Sequence, residues 1–257
     1  MTTTAQASGS SANYDAVPNK DEPYDVELGE VVFADTNIGL SASTSQKMLH
    51  IGFIRKVYGI LTCQLFLTAG ISYLCTLGDR TAFINAYPYV HLPLFIANMV
   101  LLGAVYAFRK RSPLNLLLLG IWTGVMAVTM GFITAVYVEA GESNLLFEAV
   151  GITGAAFVSL TIFTFQSKID FSFMGAGLYV GLNLLIMFSF LSLLVGVSLP
   201  LLYSVAGTVL FSAYIIFDTS RLIKDFQPDE YINASIQLYL DILNLFLYIL
   251  RILGKKK

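Results

Sequence analysis

The sequence predicts an all-α integral membrane protein, a bundle of seven transmembrane helices, on three observations. Hydrophobic residues make up 56% of the 257 and charged residues only 12%, about half the charge of an ordinary soluble domain. Apolar stretches of the roughly 20 residues that a span needs recur through most of the chain after about residue 50. Within them hydrophobicity is continuous rather than alternating, which excludes a β-barrel.

Residues 1–48 precede the first span. Seven acids (Asp15, Asp21, Glu22, Asp25, Glu27, Glu30 and Asp35) fall there against two lysines, Lys20 and Lys47, beside the polar run "TTTAQASGSSA". Such a composition buries too little apolar surface to fold alone, so a disordered acidic tail is expected, with the membrane domain over 49–257. It lacks the apolar core of a secretory signal and the basic character of a mitochondrial presequence. The tail is either a solvated segment or a docking site for a cytosolic partner.

The first helix is expected over about 57–77, behind the anchors Arg55 and Lys56. Its two cysteines, Cys63 and Cys75, stand twelve residues apart, which a helix separates by roughly 18 Å, so they do not pair with each other. The second, 90–108, runs from the interfacial His91 past Asn98 to the basic triplet at 109–111. The third, 114–137, carries Gly120 and Gly124, and the fifth, 172–195, carries Gly177 and Gly181; small residues at this spacing let helices approach closely. The fourth, 146–165, has Glu148 near its start, where a carboxylate favours a helix N-terminus. Asp170 reads as the N-cap of the fifth. The sixth covers 200–220 and the seventh 231–253.

Connecting segments alternate in charge. One set holds Lys47, Arg55, Lys56, the triplet 109–111, Lys168, Arg221 and Lys224; the other holds Arg80 beside Asp79, with Glu139 and Glu142. Positive residues mark the cytosolic side, so the N-terminus is expected there. A seventh crossing then sends the basic C-terminus to the opposite side, against that trend. A full crossing is nonetheless expected, because 231–253 contains no Gly or Pro and its 23 residues reach roughly 34 Å.

The seventh helix carries a polar stripe. At 100 degrees per residue Asn233, Gln237, Asp241 and Asn244 fall in one narrow arc that Tyr248 and Arg251 continue. A stripe of this kind turns away from lipid, toward other helices or a water-filled path. The sixth helix offers a partner in "YIIFDTSRLI", where Asp218 shares a face with Ser204 and Thr208. Asp218 lies about two turns before Lys224 and Asp241 about three turns after Asp229 and Glu230, so consecutive antiparallel helices bring both acids to similar depth. Two carboxyl groups meeting in a low-dielectric interior share one proton and titrate as a pair. Singly protonated, the pair ties two helices together; fully ionised, it repels. The alternative role for the same pair is a structural polar clasp that gates nothing.

Three stretches carry a family resemblance: "FIRKVYGILTCQL" opening the first helix, "YIIFDTSRLI" in the sixth, and "DEYINASIQLYLDILNLFLYILRILG" at the seventh. From about residue 50 to the end, the chain resembles the Bax-inhibitor/Lifeguard transmembrane family. The resemblance implies a bundle with the C-terminal helix at its centre, enclosed by the other six. It further implies pH-sensitive calcium leak from intracellular stores and suppression of cell death, with Asp218 and Asp241 as the proton-sensing pair and a basic residue ending the second helix interacting with them, by position Arg109, with Lys110 and Arg111 of the same triplet as alternatives. Where some members carry an acid on the second helix, this chain has Asn98.

The expected function is therefore a calcium leak channel, or calcium/proton exchanger, of an intracellular membrane. Asn98, Glu148, Asn233, Gln237 and Asn244 are candidates for the ion path. These are hard oxygen donors but form no dense cage, so calcium is a transported ion and not a fixed metal or a cofactor. The expected partners are the bilayer, calcium ions, protons and cell-death regulatory proteins. A non-conducting regulator that binds such proteins is the alternative. An intramembrane aspartyl protease also uses paired aspartates, but "LYLD" lacks a glycine near the second acid and the link between the two helices is short. No Gly-rich phosphate loop, zinc spacing or nucleophilic triad is present, and the basic residues are topogenic, so neither an enzyme nor a nucleic-acid binder is expected. Endoplasmic reticulum is the expected compartment, with Golgi and vacuole as alternatives.

Overall fold

The computed structural model describes residues 27–77, 89–196, 199–225 and 228–254, the side chains of 27–44, 193 and 228 excepted. All regular structure in these residues is helical: α1 (Glu27–Cys75), α2 (His91–Phe108), α3 (Leu114–Glu139), α4 (Ser143–Gln166), α5 (Met174–Val195), α6 (Pro200–Lys224), a 3-10 turn (Pro228–Glu230) and α7 (Tyr231–Leu253). Among the described residues seven segments are long and apolar enough to cross a membrane, the first being Ser45–Cys75 within α1. The chain is thus a polytopic α-helical membrane protein.

Two compact units divide after Lys47. In the first, residues 1–26 of the expected tail lie outside the described residues, whereas the remainder is helical where the sequence analysis expects disorder. The reason is local: no proline interrupts 27–47, and extending a nucleated helix adds one hydrogen bond for each residue fixed.

The second unit, residues 48–257, holds the bundle. Glycine ends the helices where a sharp turn is needed: Gly141 (φ +76°) follows α3 and Gly196 (φ +73°) closes α5, a conformation that costs any other residue a Cβ clash. Pro200 opens α6, where its missing N–H has no helical partner to lose. Large exposed side chains such as Phe147, Tyr179, Phe190 and Leu202 face outward, as a lipid environment requires.

α7 is the most buried of the seven, with half of its most apolar window covered. It packs along α6 and against α4 and α3, while α2 packs on α3 and α5 on α6. From α1, Thr68 shares a 2.7 Å hydrogen bond with the hydroxyl of Tyr239 on α7, and Gln64 Nε2 donates to Thr123 Oγ1 of α3 at 3.1 Å. Trp122 packs edge-on against Tyr239, with Leu61, Ile215, Ile236 and Leu245 fully buried around them. Paired hydroxyls and amides of this kind hold helices together where lipid removes the hydrophobic drive between them.

One end of the bundle collects the basic turns. Arg109 and Lys110, after α2, pair with Glu230 before α7 (3.6 and 3.9 Å), and Lys224 at the end of α6 reaches Asp170 in the α4–α5 loop (2.9 Å). At the opposite end Arg251 lies over the rings of Tyr203 and Tyr248, and Gly254 abuts Tyr137 of α3. α7 therefore runs the full thickness of the bundle and is not re-entrant.

Asp170 is not the N-cap of α5, which begins only at Met174 behind Phe173. Its Oδ1 instead accepts from Lys224 and from the N–H and hydroxyl of Ser172, contacts that hold its carboxyl down to about 2 from the usual 3.8. A depressed value means that the contacts favour the folded loop at every pH above about 3.8 and are lost as pH falls through about 2. Lys224→Met is expected to return Asp170 toward its ordinary range and to speed hydrogen exchange across 167–173, with the core amides unaffected. The effect stays local because the pair is exposed and screened.

Candidate functional site

Asp218 and Asp241 are brought together by the α6–α7 hairpin. The helices run antiparallel, so pairs of contacting positions share a nearly constant sum: Tyr203 with Tyr248 near one end, Asp218 with Asp241 toward the other. Asp241 is only 5% exposed, and its carboxyl lies within interaction range of that of the partly buried Asp218. Asp241 Oδ2 is buried and meets no N–H or O–H donor among the described residues. Two carboxylates offer only acceptors, so the contact is a hydrogen bond only when a proton lies between them.

The groups facing this pair come from several elements. Tyr214 lies one turn before Asp218 on α6 and within electrostatic range of both acids, Arg221 stands near Asp218, and Tyr106 of α2 lies within range of both Asp218 and Arg109. A cavity of about 100 Å³ reaches Asp218 from the basic end of the bundle, lined by Arg221, Asp225, Glu230, Asn233 and Gln237. That is room for a few waters, which the polar lining can hold.

Of the residues singled out in the sequence, Asp218, Asn233 and Gln237 meet at this cavity, with Asp241 immediately behind Asp218. Arg109 stands close by but is paired with Glu230, and no described ion pair joins it to either aspartate. Asn244 turns its amide back onto Leu240 O at 2.8 Å. Asn98 is buried about 12 Å along α2 from Tyr106, donating to Leu94 O and Thr129 Oγ1. Glu148 is exposed on α4 and lines no interior path, because its position on the helix faces outward between the buried Leu145 and Ala149.

Residues that the sequence analysis passed over complete the site. Glu230 falls on the same arc as Asn233, Gln237 and Asp241 but lies in the 3-10 turn, just outside the expected helix. Tyr214 precedes Asp218 by one helical turn and was legible from spacing alone. Tyr106 comes from a different helix, and no local signal marks it. Among the described residues no group of three or more His, Cys, Asp or Glu side chains stands close enough to hold a metal ion.

Fold and site together define a polytopic helical membrane protein with a buried carboxyl pair on its last hairpin. Comparison with known proteins narrows this further. The family model described as "Inhibitor of apoptosis-promoting Bax1" matches residues 50–257. The chain is 37% identical over 221 residues to the "Golgi anti-apoptotic protein" of Vaccinia virus (strain Lister), covering 85% of this chain and 92% of that protein. It is 34% identical over 261 residues to "Bax inhibitor 1" of Schizosaccharomyces pombe (95% and 96% covered) and 35% identical over 222 residues to "Protein lifeguard 4" of Mus musculus (85% and 91% covered). The chain belongs to the Bax inhibitor/Lifeguard family.

Proposed function

We propose that this chain is a pH-sensitive calcium leak channel, or a calcium/proton exchanger, of an intracellular membrane, and that it regulates store calcium and cell death. The observation that carries this reading is the contact between the carboxyl groups of Asp218 and Asp241 on consecutive buried helices. With one proton shared, the pair ties α6 to α7; without it, two negative charges in contact drive the helices apart. The groups that set the balance are Arg221, Tyr214 and Tyr106 beside the pair, with Arg109 and Glu230 one step further out.

The cavity at the basic end supplies an entrance. Its oxygen donors, Asp218, Asp225, Glu230, Asn233 and Gln237, suit a hard divalent ion, and their loose spacing suits passage rather than storage. Basic turns gathered at that same end favour a cytosolic placement for it and for the N-terminus. Endoplasmic reticulum is the proposed membrane; the name of the vaccinia relative keeps Golgi as an alternative. The carboxyl pair acts as a proton switch, and no catalytic role is proposed for it.

The test is calcium efflux from proteoliposomes holding the purified full chain, measured across a pH series. Protein-dependent efflux that varies with pH is expected; no efflux above empty liposomes at any pH would overturn the proposal. A second reading, docking to cell-death proteins without conduction, draws on the relatives named as anti-apoptotic. Removing residues 1–47 separates the two: cell protection lost while efflux persists would favour docking.

A further inference from the structure

A groove runs between α1 and α3, apart from the carboxyl pair. Its volume is about 440 Å³ and its surface is almost wholly apolar. On α1 the wall extends from Lys56 to Leu67, roughly 16 Å of helix, with Gly59 and Cys63 on the rim; on α3 it includes Gly120. A Cβ at either Gly59 or Gly120 would meet nothing within 4 Å, so the groove is open where those side chains are missing. On the floor Gln64 Nε2 donates to Thr123 Oγ1 and Thr123 Oγ1 to Leu119 O, while Gln64 Oε1 is buried and meets no donor among the described residues, and hydrocarbon makes up nearly all of the surface presented.

The groove has one charged end. The ammonium of Lys56 lies 3.3 Å from the centre of the Tyr231 ring, which positions it at the basic face of the bundle. Arg109, Lys110, Arg221 and Lys224 at that face are paired with carboxylates, whereas Lys56, like Arg55, Arg111 and Lys168, forms no ion pair among the described residues, and of these four Lys56 alone lines the groove. A fixed cation without a counter-ion, at the membrane-surface end of an apolar channel that runs into the bilayer, matches the layout of an anionic amphiphile. At about 16 Å the groove is long enough for part of one hydrocarbon chain laid along it.

We propose that this groove is a binding site for an anionic phospholipid, which lays one acyl chain between α1 and α3 and sets its phosphate against Lys56. The second chain stays in the surrounding bilayer. The site does not depend on calcium conduction, and it is tested without flux.

Trp122, the only tryptophan in the chain, is buried one residue from the floor residue Thr123 and reports on the groove. Its fluorescence is measured in vesicles containing acyl-brominated phosphatidylserine or acyl-brominated phosphatidylcholine. Half-quenching is expected at a mole fraction about fivefold lower for phosphatidylserine, the preference that one lysine near an anionic surface confers. Lys56→Gln is expected to remove that preference, and Gly120→Leu, which fills the channel, to reduce quenching by both lipids; Gly59→Leu does the same from the opposite wall if Gly120→Leu fails to fold. Equal quenching of the unsubstituted protein by the two lipids would overturn the proposal and mean ordinary boundary lipid. A phosphatidylserine preference that survives both Lys56→Gln and the groove-filling variant would overturn it too, by placing the lipid elsewhere.

Discussion

Calcium efflux through the Asp241→Asn protein is expected to be nearly independent of pH and to sit at the lower plateau of the unsubstituted protein. The asparagine amide donates to Asp218 where the shared proton now lies, so the tie between α6 and α7 is kept but no longer titrates. The native pair exchanges one proton, and its efflux is expected to change by up to about tenfold per pH unit across the titration. The variant is expected to change by less than about twofold over the same range, because its remaining acid is hydrogen-bonded to a neutral donor. Asp218→Asn, the mirror substitution, is expected to behave alike, and the double variant to match either single one, since the two positions act as a unit. Native-like pH dependence in both single variants would remove the pair from gating while leaving conduction itself untouched.

Gly207→Ala is expected to destabilise the bundle by about 1–3 kcal/mol, the usual cost of overpacking a filled core. A Cβ at Gly207 would enter the ring of Tyr248, which is partly exposed but flanked by two other rings. Phe211 stacks on it with centroids 5.7 Å apart, Tyr203 meets it edge-on at 5.5 Å, and its hydroxyl donates to that of Tyr203 at 3.1 Å. Thermal unfolding in detergent measures the loss. Pairing Gly207→Ala with Tyr248→Leu should recover part of it, and a melting temperature unchanged by Gly207→Ala alone would contradict the close packing of the hairpin.

Much of the fold was legible because a bilayer constrains it: spans must be long, apolar and helical, so seven of them follow from hydropathy to within a few residues in most cases. The polar stripe of α7 was legible from the 3.6-residue period, and the similar depth of Asp218 and Asp241 on adjoining helices from their two and three turns to the charged link. Three things were not. The pairing of Arg109 with Glu230 depends on a long side chain reaching across from another helix, and Glu230 sits in a turn that hydropathy cannot place. The recess at Gly207 acquires its meaning only from Tyr248, forty-one residues later. Glu148 reads alike as a helix-end acid or an interior one until the neighbouring helices decide which face is covered.

The α6–α7 hairpin is fastened unequally along its length. Packed rings bind the open extremity, whereas at the other the chain itself passes from Lys224 to Tyr231 in a short link. Any parting of the helices at the aspartates would therefore work against a covalent link on one side and packed rings on the other, which favours a bowing of the hairpin over an opening at either end.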